Sequence, residues 1–263
     1  DRYNNLQMDP EPRFAVTPYK NNKNSLIFPA DTSISERVLY PTLEESRLGM
    51  EDARFVRFTD ENDTETYYGT FTAYDGDRIS PMLLKTADFR RFEYIPMKGE
   101  NIQNKGMALF PRKIDGKYAM VSRIDGENLY LMYSKKINTW DDVRLLRMPK
   151  YPWEYFQIGN CGSPLETDEG WLLITHGVGP MRRYCIGVDL LDTNDPSQII
   201  AQTPEPLVFP ELPVREGYVP NVVYSCGGML RQDELLLPYA IADAFCAVGT
   251  IPVAELLESL EPV

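Results

Sequence analysis

The chain has 263 residues, a hydrophobic content of 43% and a formal net charge of −12. This length can bury a substantial core in one or two domains. The negative charge argues against nucleic acid as a partner, because phosphate backbones require clustered Lys and Arg, and here the basic residues are scattered. We also expect no membrane association, since no run of about 18 apolar residues predicts a transmembrane helix.

Cysteine and histidine are too sparse for a zinc site. The four cysteines, Cys161, Cys185, Cys226 and Cys246, show no C-x-x-C spacing, and the chain has one histidine, His176. We therefore expect no metal and no other cofactor. The cysteines lie in or beside apolar runs, which favours buried free thiols over the alternative of a disulfide framework.

Strand patterns follow one another along most of the chain. Aromatic and β-branched runs occur at TYYGTFTAYDGD (66–77), KIDGKYAMVSRIDGENLYLMYS (113–134), GWLLITHG (170–177) and ELLLPYAIAD (234–243). The Asp-Gly pairs within and beside these runs are hairpin signals. Only VAELLESL (253–260) has a helical pattern. The sequence therefore predicts an all-β protein with a short C-terminal helix.

Three segments repeat the outline of a short strand followed by a turn; in the first two the turn is small and charged and an aromatic residue follows it, and in the third the loop is longer. They are LLKTADFRRFEY (83–94), LMYSKKINTWDDV (131–143) and GVDLLDTNDPSQIIA (187–201). Their spacing of about 50 residues is the length of a four-stranded propeller blade. The count predicts four blades and part of another, with a β-sandwich as the alternative fold.

Polar residues stand at successive predicted strand ends. The candidates are Glu51 and Asp52 before FVRF, Asn104 and Lys105 before MALF, Glu154 and Gln157, His176, and Asp243. Each position alone fits a solvated turn, or in the case of His176 a hydrogen-bonded core residue. Together they are what a ligand channel at the centre of a propeller requires.

The order of longer motifs resembles glycoside hydrolase family 130. These motifs are EDAR, YYGTFTAYDG, NKGMALFPRKIDGKY, IGNCGSPLETDEGWLLITHGV, GYVPNVVYSCGG and YAIAD. The resemblance implies a five-bladed β-propeller that acts on β-mannosides of short manno-oligosaccharides, inverts the anomeric configuration and uses no metal. It also implies one catalytic domain over residues 1–263, whose first blade, at residues 1–40, is divergent or incomplete.

The resemblance also implies roles for individual residues. Asp52 corresponds to the acid, which protonates the glycosidic oxygen through a sugar hydroxyl. Asp243 and Arg54 correspond to mannose-binding residues, and His176 to a residue at the pocket of the nucleophile. The predicted substrate-binding set is Glu51, Arg54, Asn104, Lys105, Arg123, Gln157, His176, Tyr184 and Asp243.

Two departures from the phosphorylase pattern concern the nucleophile. Gln157 stands where phosphorylases carry lysine, and Gln103 stands where they tend to carry arginine. A phosphate dianion is held best by fixed positive charge, so these amides favour water as the nucleophile. Arg123, and Arg182 or Arg183 together with Tyr184, would offset the loss of positive charge in part.

The first interpretation is therefore an inverting β-mannosidase. His176 and Asn104 would surround the water, and Glu154 would act as the base, with Glu216 as the other candidate. The alternatives are a phosphorylase that releases mannose 1-phosphate, and a glycan-binding propeller without turnover. Expected partners are a manno-oligosaccharide, phosphate in the second case, and a further copy of the chain. Cytoplasm and periplasm both stay open as locations.

Overall fold

The structure is a computed structural model that describes residues 19–22, 24–210 and 217–263. Four antiparallel sheets form a propeller-like arrangement and are called blades 1 to 4 in chain order. The all-β prediction is confirmed. Within the described ranges, no helix is both long and apolar enough to cross a membrane.

Each blade is built mainly from strands that are consecutive in the chain. Blade 1 contains β1 (Tyr19–Asn22), β2 (Ser25–Ile27), β3 (Gly49–Thr59), β4 (Glu65–Tyr74), β5 (Ile79–Thr86) and β6 (Arg91–Pro96), in the spatial order β1-β2-β6-β5-β4-β3. Blade 2 contains β7 (Ala108–Leu109), β8 (Tyr118–Ser122), β9 (Leu129–Ser134) and β10 (Asp142–Arg147).

Blades 3 and 4 each have an interrupted first strand. Blade 3 contains β11 (Gln157–Asn160), β12 (Leu165–Glu166), β13 (Trp171–Gly179), β14 (Arg183–Leu191) and β15 (Ile199–Gln202). Blade 4 contains β16 (Val223–Tyr224), β17 (Met229–Arg231), β18 (Glu234–Ile241) and β19 (Phe245–Pro252). The helix α1 (Val253–Glu258) follows, and β20 (Glu261–Pro262) returns to pair with β15. Single 3-10 turns lie at Ile34–Glu36, Glu44–Ser46, Pro152–Glu154 and Pro180–Arg182.

The Asp-Gly pairs form the turns that the sequence predicts. Asp115 and Gly116 both have positive φ, 49° and 69°, between the bridged residues Ile114 and Lys117. This is the left-handed backbone that a tight hairpin turn requires, and asparagine, aspartate and glycine tolerate it best. Asp75–Gly76 and Asp125–Gly126 lie in the turns between β4 and β5 and between β8 and β9.

The three repeated segments coincide with the third and fourth strands of blades 1, 2 and 3, which explains their common outline. For residues 1–40 the sequence predicts a divergent or incomplete first blade. In its described part, this segment adds the short strands β1 and β2 to the outer edge of blade 1 and forms no blade of its own. A fifth blade stays a prediction. The predicted helix ends two residues early, at Glu258.

Apolar side chains from facing blades form three hydrophobic clusters, which join blade 1 to 2, blade 2 to 3 and blade 3 to 4. Strand β13 is buried along its whole length because it packs on both faces: Leu173 points toward blade 2 and Ile174 toward blade 4. At the centre, blades 3 and 4 touch through backbone. A Cβ atom added to Gly162 would lie 2.5 Å from the Gly227 Cα.

Blades 4 and 1 meet differently. Among the described residues no hydrophobic cluster joins them, and Arg54 of β3 contacts Tyr224 of β16 at the centre. Val248 and Met229 of blade 4 are 67% and 56% exposed. The cysteine prediction needs one correction: all four thiols are free, but Cys246 is exposed, because β19 has an open face, and Cys226 is half-buried.

Candidate active site

The site forms where the first strands of the four blades begin, and Asp52 enters it through a β-bulge. The pairing of β3 with β4 shifts register between Glu51 and Arg54, and Asp52 has a φ of 56°. A bulge turns its extra residue out of the ladder and redirects the side chain. Asp52 Oδ2 consequently accepts a hydrogen bond from the Tyr224 hydroxyl at 3.3 Å and lies 3.8 Å from Arg54 Nη2.

Arg54 is buried beside Asp52 and holds the bulge in place. Its Nη1 donates to the Asp52 carbonyl at 2.8 Å, and its Nη2 donates to the Tyr224 hydroxyl at 2.7 Å. Burial opposes the charge of Arg54, but groups that include Tyr224 and Asp52 outweigh it and raise its pKa. Burial likewise raises the pKa of Tyr224, so the phenol stays protonated and can donate to Asp52.

Sequence reasoning did not single out Tyr224. Its segment, GYVPNVVYSCGG, carries the family resemblance, but a tyrosine at the end of an apolar run is ordinary in a strand. The signal that could have identified it is the SCGG that follows, whose Gly227 permits the close backbone contact with Gly162.

His176 lies in the middle of this group and is 1% exposed. Its ring stacks on Tyr184 with centroids 6.1 Å apart and meets Tyr224 edge-on at 5.0 Å. Burial, followed by the charges of Arg123 and Arg54, holds the pKa of His176 well below its usual value, so the imidazole is neutral. Arg123 Nη1 lies 3.1 Å from His176 Nε2. Since a guanidinium can only donate, Nε2 accepts and the proton is on Nδ1.

Arg123 reaches the site from the turn between β8 and β9. The Gln157 amide is oriented so that its nitrogen donates to the Gly126 carbonyl at 3.2 Å. The amide oxygen of Gln157 then accepts a hydrogen bond from Arg123. Asn104 packs on the same turn, because a Cβ added to Gly126 would lie 2.9 Å from its amide nitrogen. Asp125 accepts bonds from Asn128 and from the Tyr130 hydroxyl, and these bonds lower its pKa to about 2 despite partial burial.

Positive charge exceeds negative charge in this buried group. Arg123 is 7% exposed, and in residues 24–210 and 217–263 it makes no ion pair with a carboxylate. Burial and, among the charges, Arg54 lower its pKa. A buried guanidinium without a counterion is costly, and an anion that binds beside it removes that cost. The arrangement can therefore hold a negatively charged ligand next to Asp52.

The remaining predicted residues lie around this centre. Lys105 Nζ pairs with Glu51 Oε1 at 3.1 Å and links blades 2 and 1 at the partly exposed rim. Tyr184 is brought against His176, as described above. Asp243 is exposed in the tight turn between β18 and β19, with a φ of 51°. Within the described residues it makes no hydrogen bond or ion pair, so its predicted contact with mannose stays a prediction.

Glu154 does not have the surroundings of a catalytic base. It is fully buried, its Oε2 lies 2.9 Å from Arg147 Nη1, and its Oε1 accepts from the backbone amides of Lys150 and Tyr151. A carboxylate so occupied has no access to a water. These contacts argue against Glu154 as the base, because its charge closes an ion pair between blades, and the assignment stays a prediction. The other candidate, Glu216, lies outside the described residues.

Three further basic or amide residues lie away from the centre. Gln103 is exposed and donates to the Glu100 carbonyl at 2.6 Å. Arg182 is exposed, and Arg183 stacks on Phe209 and donates to the Pro210 carbonyl. Arg123 and Arg54 are thus the arginines that the structure brings beside His176.

Comparison with known proteins gives a family for this fold and site. The sequence model of glycoside hydrolase family 130, described as beta-1,4-mannooligosaccharide phosphorylase, matches residues 24–262. A 1,2-beta-oligomannan phosphorylase from Thermoanaerobacter sp. (strain X514) is 32% identical over 234 residues, covering 85% of this chain and 75% of the relative. A beta-1,2-mannobiose phosphorylase from Listeria innocua is 32% identical over 232 residues, covering 85% and 63%.

A solved structure agrees with these sequence relatives. The beta-1,2-mannobiose phosphorylase from Listeria innocua in complex with beta-1,2-mannobiose superposes with a TM-score of 0.74 at 29% identity, covering 84% of this chain and 63% of that structure. The chain thus spans somewhat less than two thirds of the Listeria protein. The matched residues include all four blades and every buried group of the site, and the chain belongs to glycoside hydrolase family 130.

Proposed function

We propose that this chain is an inverting β-mannoside phosphorylase, which transfers a mannosyl group from a manno-oligosaccharide to phosphate. The carrying observation is the buried guanidinium of Arg123, which has no carboxylate partner among the described residues and lies against a neutral His176. A hydrolase needs no anion at this position, whereas phosphate would supply the missing negative charge. The names of the relatives, which are phosphorylases, support the same conclusion.

The residues have the following roles in this proposal. A phosphate oxygen forms the new bond to the anomeric carbon while the bond from that carbon to the glycosidic oxygen breaks. Asp52 supplies the proton that the leaving oxygen takes up, through a sugar hydroxyl as the family resemblance implies. Arg123, with Arg54 and the Nδ1–H tautomer of His176 nearby, stabilises the charge on the phosphate. Inversion converts the β-mannoside to α-mannose 1-phosphate.

Tyr224 links the two halves of this site. Its hydroxyl donates to Asp52 and accepts from Arg54, so it fixes the carboxylate next to the cation on which the bulge depends. Because burial keeps the phenol protonated, it continues to donate to Asp52 at neutral pH. We therefore assign Tyr224 to positioning of the acid.

Hydrolysis is the second candidate, and Gln157 is the observation that favours it. Its amide oxygen accepts from Arg123 and thereby occupies part of the hydrogen-bonding capacity that this guanidinium offers to an anion. An amide adds no positive charge for phosphate. Water could then take the place of phosphate as the nucleophile.

One assay separates these candidates. The chain is incubated with β-1,2-mannobiose, with and without inorganic phosphate, and both mannose and mannose 1-phosphate are measured. We expect mannose 1-phosphate to form only with phosphate, together with one equivalent of mannose, and to be lost in Asp52→Asn. Two equivalents of mannose at a rate independent of phosphate would show a hydrolase. Saturable sugar binding without any product would show a binding protein. The β-1,4-linked isomer is the control for linkage.

A further inference from the structure

Two large aromatic side chains are exposed directly before β11, the strand that carries Gln157 into the site. Tyr155 is 71% exposed and Phe156 is 58% exposed, and their rings meet edge-to-face with centroids 5.2 Å apart. They immediately precede Gln157, whose amide contacts Arg123 in the centre. The pair, which we call the aromatic rim, thus lies at the start of β11, next in the chain to a residue that contacts Arg123.

The backbone that carries the aromatic rim is held firmly. The Glu154 carboxylate is bound by Arg147 and by the backbone amides of Lys150 and Tyr151, which precede the 3-10 turn at Pro152–Glu154. Trp153 Nε1 donates to the Pro204 carbonyl at 3.0 Å, and the Phe156 amide donates to the Val178 carbonyl at 2.9 Å. Rings exposed on a fixed backbone lose little entropy when they bind a ligand, which is how binding surfaces differ from mobile surface residues.

The chemistry of the rim fits a neutral sugar. The C–H groups of a pyranose ring carry slight positive charge and pack on the negative face of an aromatic ring. The net charge of −12 disfavours an anionic polymer at this end of the chain. An adjacent exposed side chain, Met181 at 84%, follows Gly179, which packs against the backbone of Trp153. Met181 therefore lies on a segment that packs against the one that carries the rim.

We propose that Tyr155 and Phe156 form a distal subsite, which stacks on a sugar ring of manno-oligosaccharides longer than a disaccharide, beyond the linkage that is cleaved. This inference rests on the proposed function, which supplies the identity of the sugar. It makes the aromatic rim a determinant of chain-length preference. A disaccharide, which occupies only the two positions beside Asp52, would not reach it.

The test measures binding in place of turnover. Calorimetric titration of the Asp52→Asn chain, without phosphate, compares β-1,2-mannobiose with β-1,2-mannotetraose, before and after the double change Tyr155→Ala and Phe156→Ala. We expect affinity for the tetraose to fall about tenfold and affinity for the biose to change less than about twofold. Leu145→Ala, on the outer strand of blade 2 and 52% exposed, is the matched control and should change neither. Urea unfolding verifies that the double variant is folded.

Because no turnover is needed, a failure of phosphorolysis leaves the result readable. Equal weakening of both sugars would place the rim at the cleaved linkage and overturn the distal assignment. Unchanged affinity for both would overturn the subsite altogether. If light scattering shows that the double change converts an oligomer to a monomer while tetraose affinity is unchanged, the rim is a contact between copies of the chain and the proposal is wrong.

Discussion

Two arginines are equally buried in this protein and have opposite surroundings. Arg147 is 8% exposed and Arg123 is 7% exposed. Arg147 Nε donates to Asp189 at 2.7 Å, its Nη1 contacts Glu154, and Gln202 completes the group by donating to Asp189 at 3.1 Å. Arg123 has a neutral imidazole and an amide oxygen instead. Burial acts against both charges, but Asp189 and Glu154 raise the pKa of Arg147, whereas Arg54 adds to the lowering of the pKa of Arg123.

The difference separates structural charge from functional charge. Arg147 has its counterions built in, so its charge fixes blade 2 against blade 3 and needs no ligand. Arg123 has no carboxylate partner among the described residues, so its counterion has to come from a ligand. A buried ion pair is costly to break on one side only, and an unpaired buried cation is costly until an anion arrives. Stability and ligand binding should therefore respond oppositely to removal of the two guanidiniums.

The largest expected effect is on stability at Arg147. The change Arg147→Met leaves the Glu154 and Asp189 carboxylates buried without a cation, and should lower the free energy of unfolding by about 3–5 kcal/mol. Urea denaturation measures it. The triple change that adds Glu154→Gln and Asp189→Asn removes the stranded charges and should recover most of the loss. If the single change costs less than about 1 kcal/mol, the group does not hold the blades together.

The next effect is on activity at Arg123. Arg123→Met should reduce kcat/KM for phosphate by about 10²–10³-fold, the cost of removing one preorganised donor from developing charge. The free energy of unfolding should stay the same or rise, because no counterion is stranded. Arg183→Met, an exposed arginine at the same end of the molecule, is the matched control. Loss of stability comparable to that of Arg147→Met would contradict the comparison.

Phosphate itself should stabilise the chain through Arg123. A ligand present at about 100 times its Kd adds about 2.7 kcal/mol to the free energy of unfolding. Thermal unfolding in phosphate should therefore shift upward relative to chloride of equal ionic strength, in the unaltered chain and in Arg147→Met, but not in Arg123→Met. A shift that survives Arg123→Met would place the anion elsewhere.

The smallest effect is a pH dependence at His176. Its folded pKa lies well below the unfolded value of about 6.5, so below that pH the unfolded chain binds a proton that the folded chain excludes. Stability should fall as pH decreases from 7 to 5.5, with a slope of at most about 1.4 kcal/mol per pH unit. His176→Gln should flatten this slope. An unchanged slope in that variant would assign the dependence to other groups.

Much of the blade structure could be predicted from local sequence. The Asp-Gly turns and the repeated outline of a strand followed by a turn depend on residues that are close in the chain, and both occur in the structure at the predicted positions. The interrupted first strands could not be seen in this way, because β11 and β16 are short and owe their place to the blades around them. The prediction of a divergent or incomplete first blade at residues 1–40 could not include the pairing of β2 with β6, because these strands are more than 60 residues apart in the chain.

The sequence indicated which residues form the site better than it indicated what each of these residues does. Five of the residues singled out in the sequence, Asp52, Arg54, Arg123, His176 and Tyr184, lie together in the structure, while their roles stay predictions. Glu154 was assigned to catalysis because sequence cannot show which cation a carboxylate will meet, and the partners of Arg147 come from positions 154 and 189. The contact of Tyr224 with Asp52 spans 172 positions in the chain and is likewise a product of closure of the fold.

The backbone contact between Gly162 and Gly227 sets a minimum distance between blades 3 and 4 at the axis. A methyl group at position 162 would meet backbone atoms, which cannot swing aside as a side chain can. Any side chain at position 162 would consequently have to push blades 3 and 4 apart. As long as the two blades keep this spacing, glycine is the residue that position 162 can accommodate, and a mutational library should leave it unchanged.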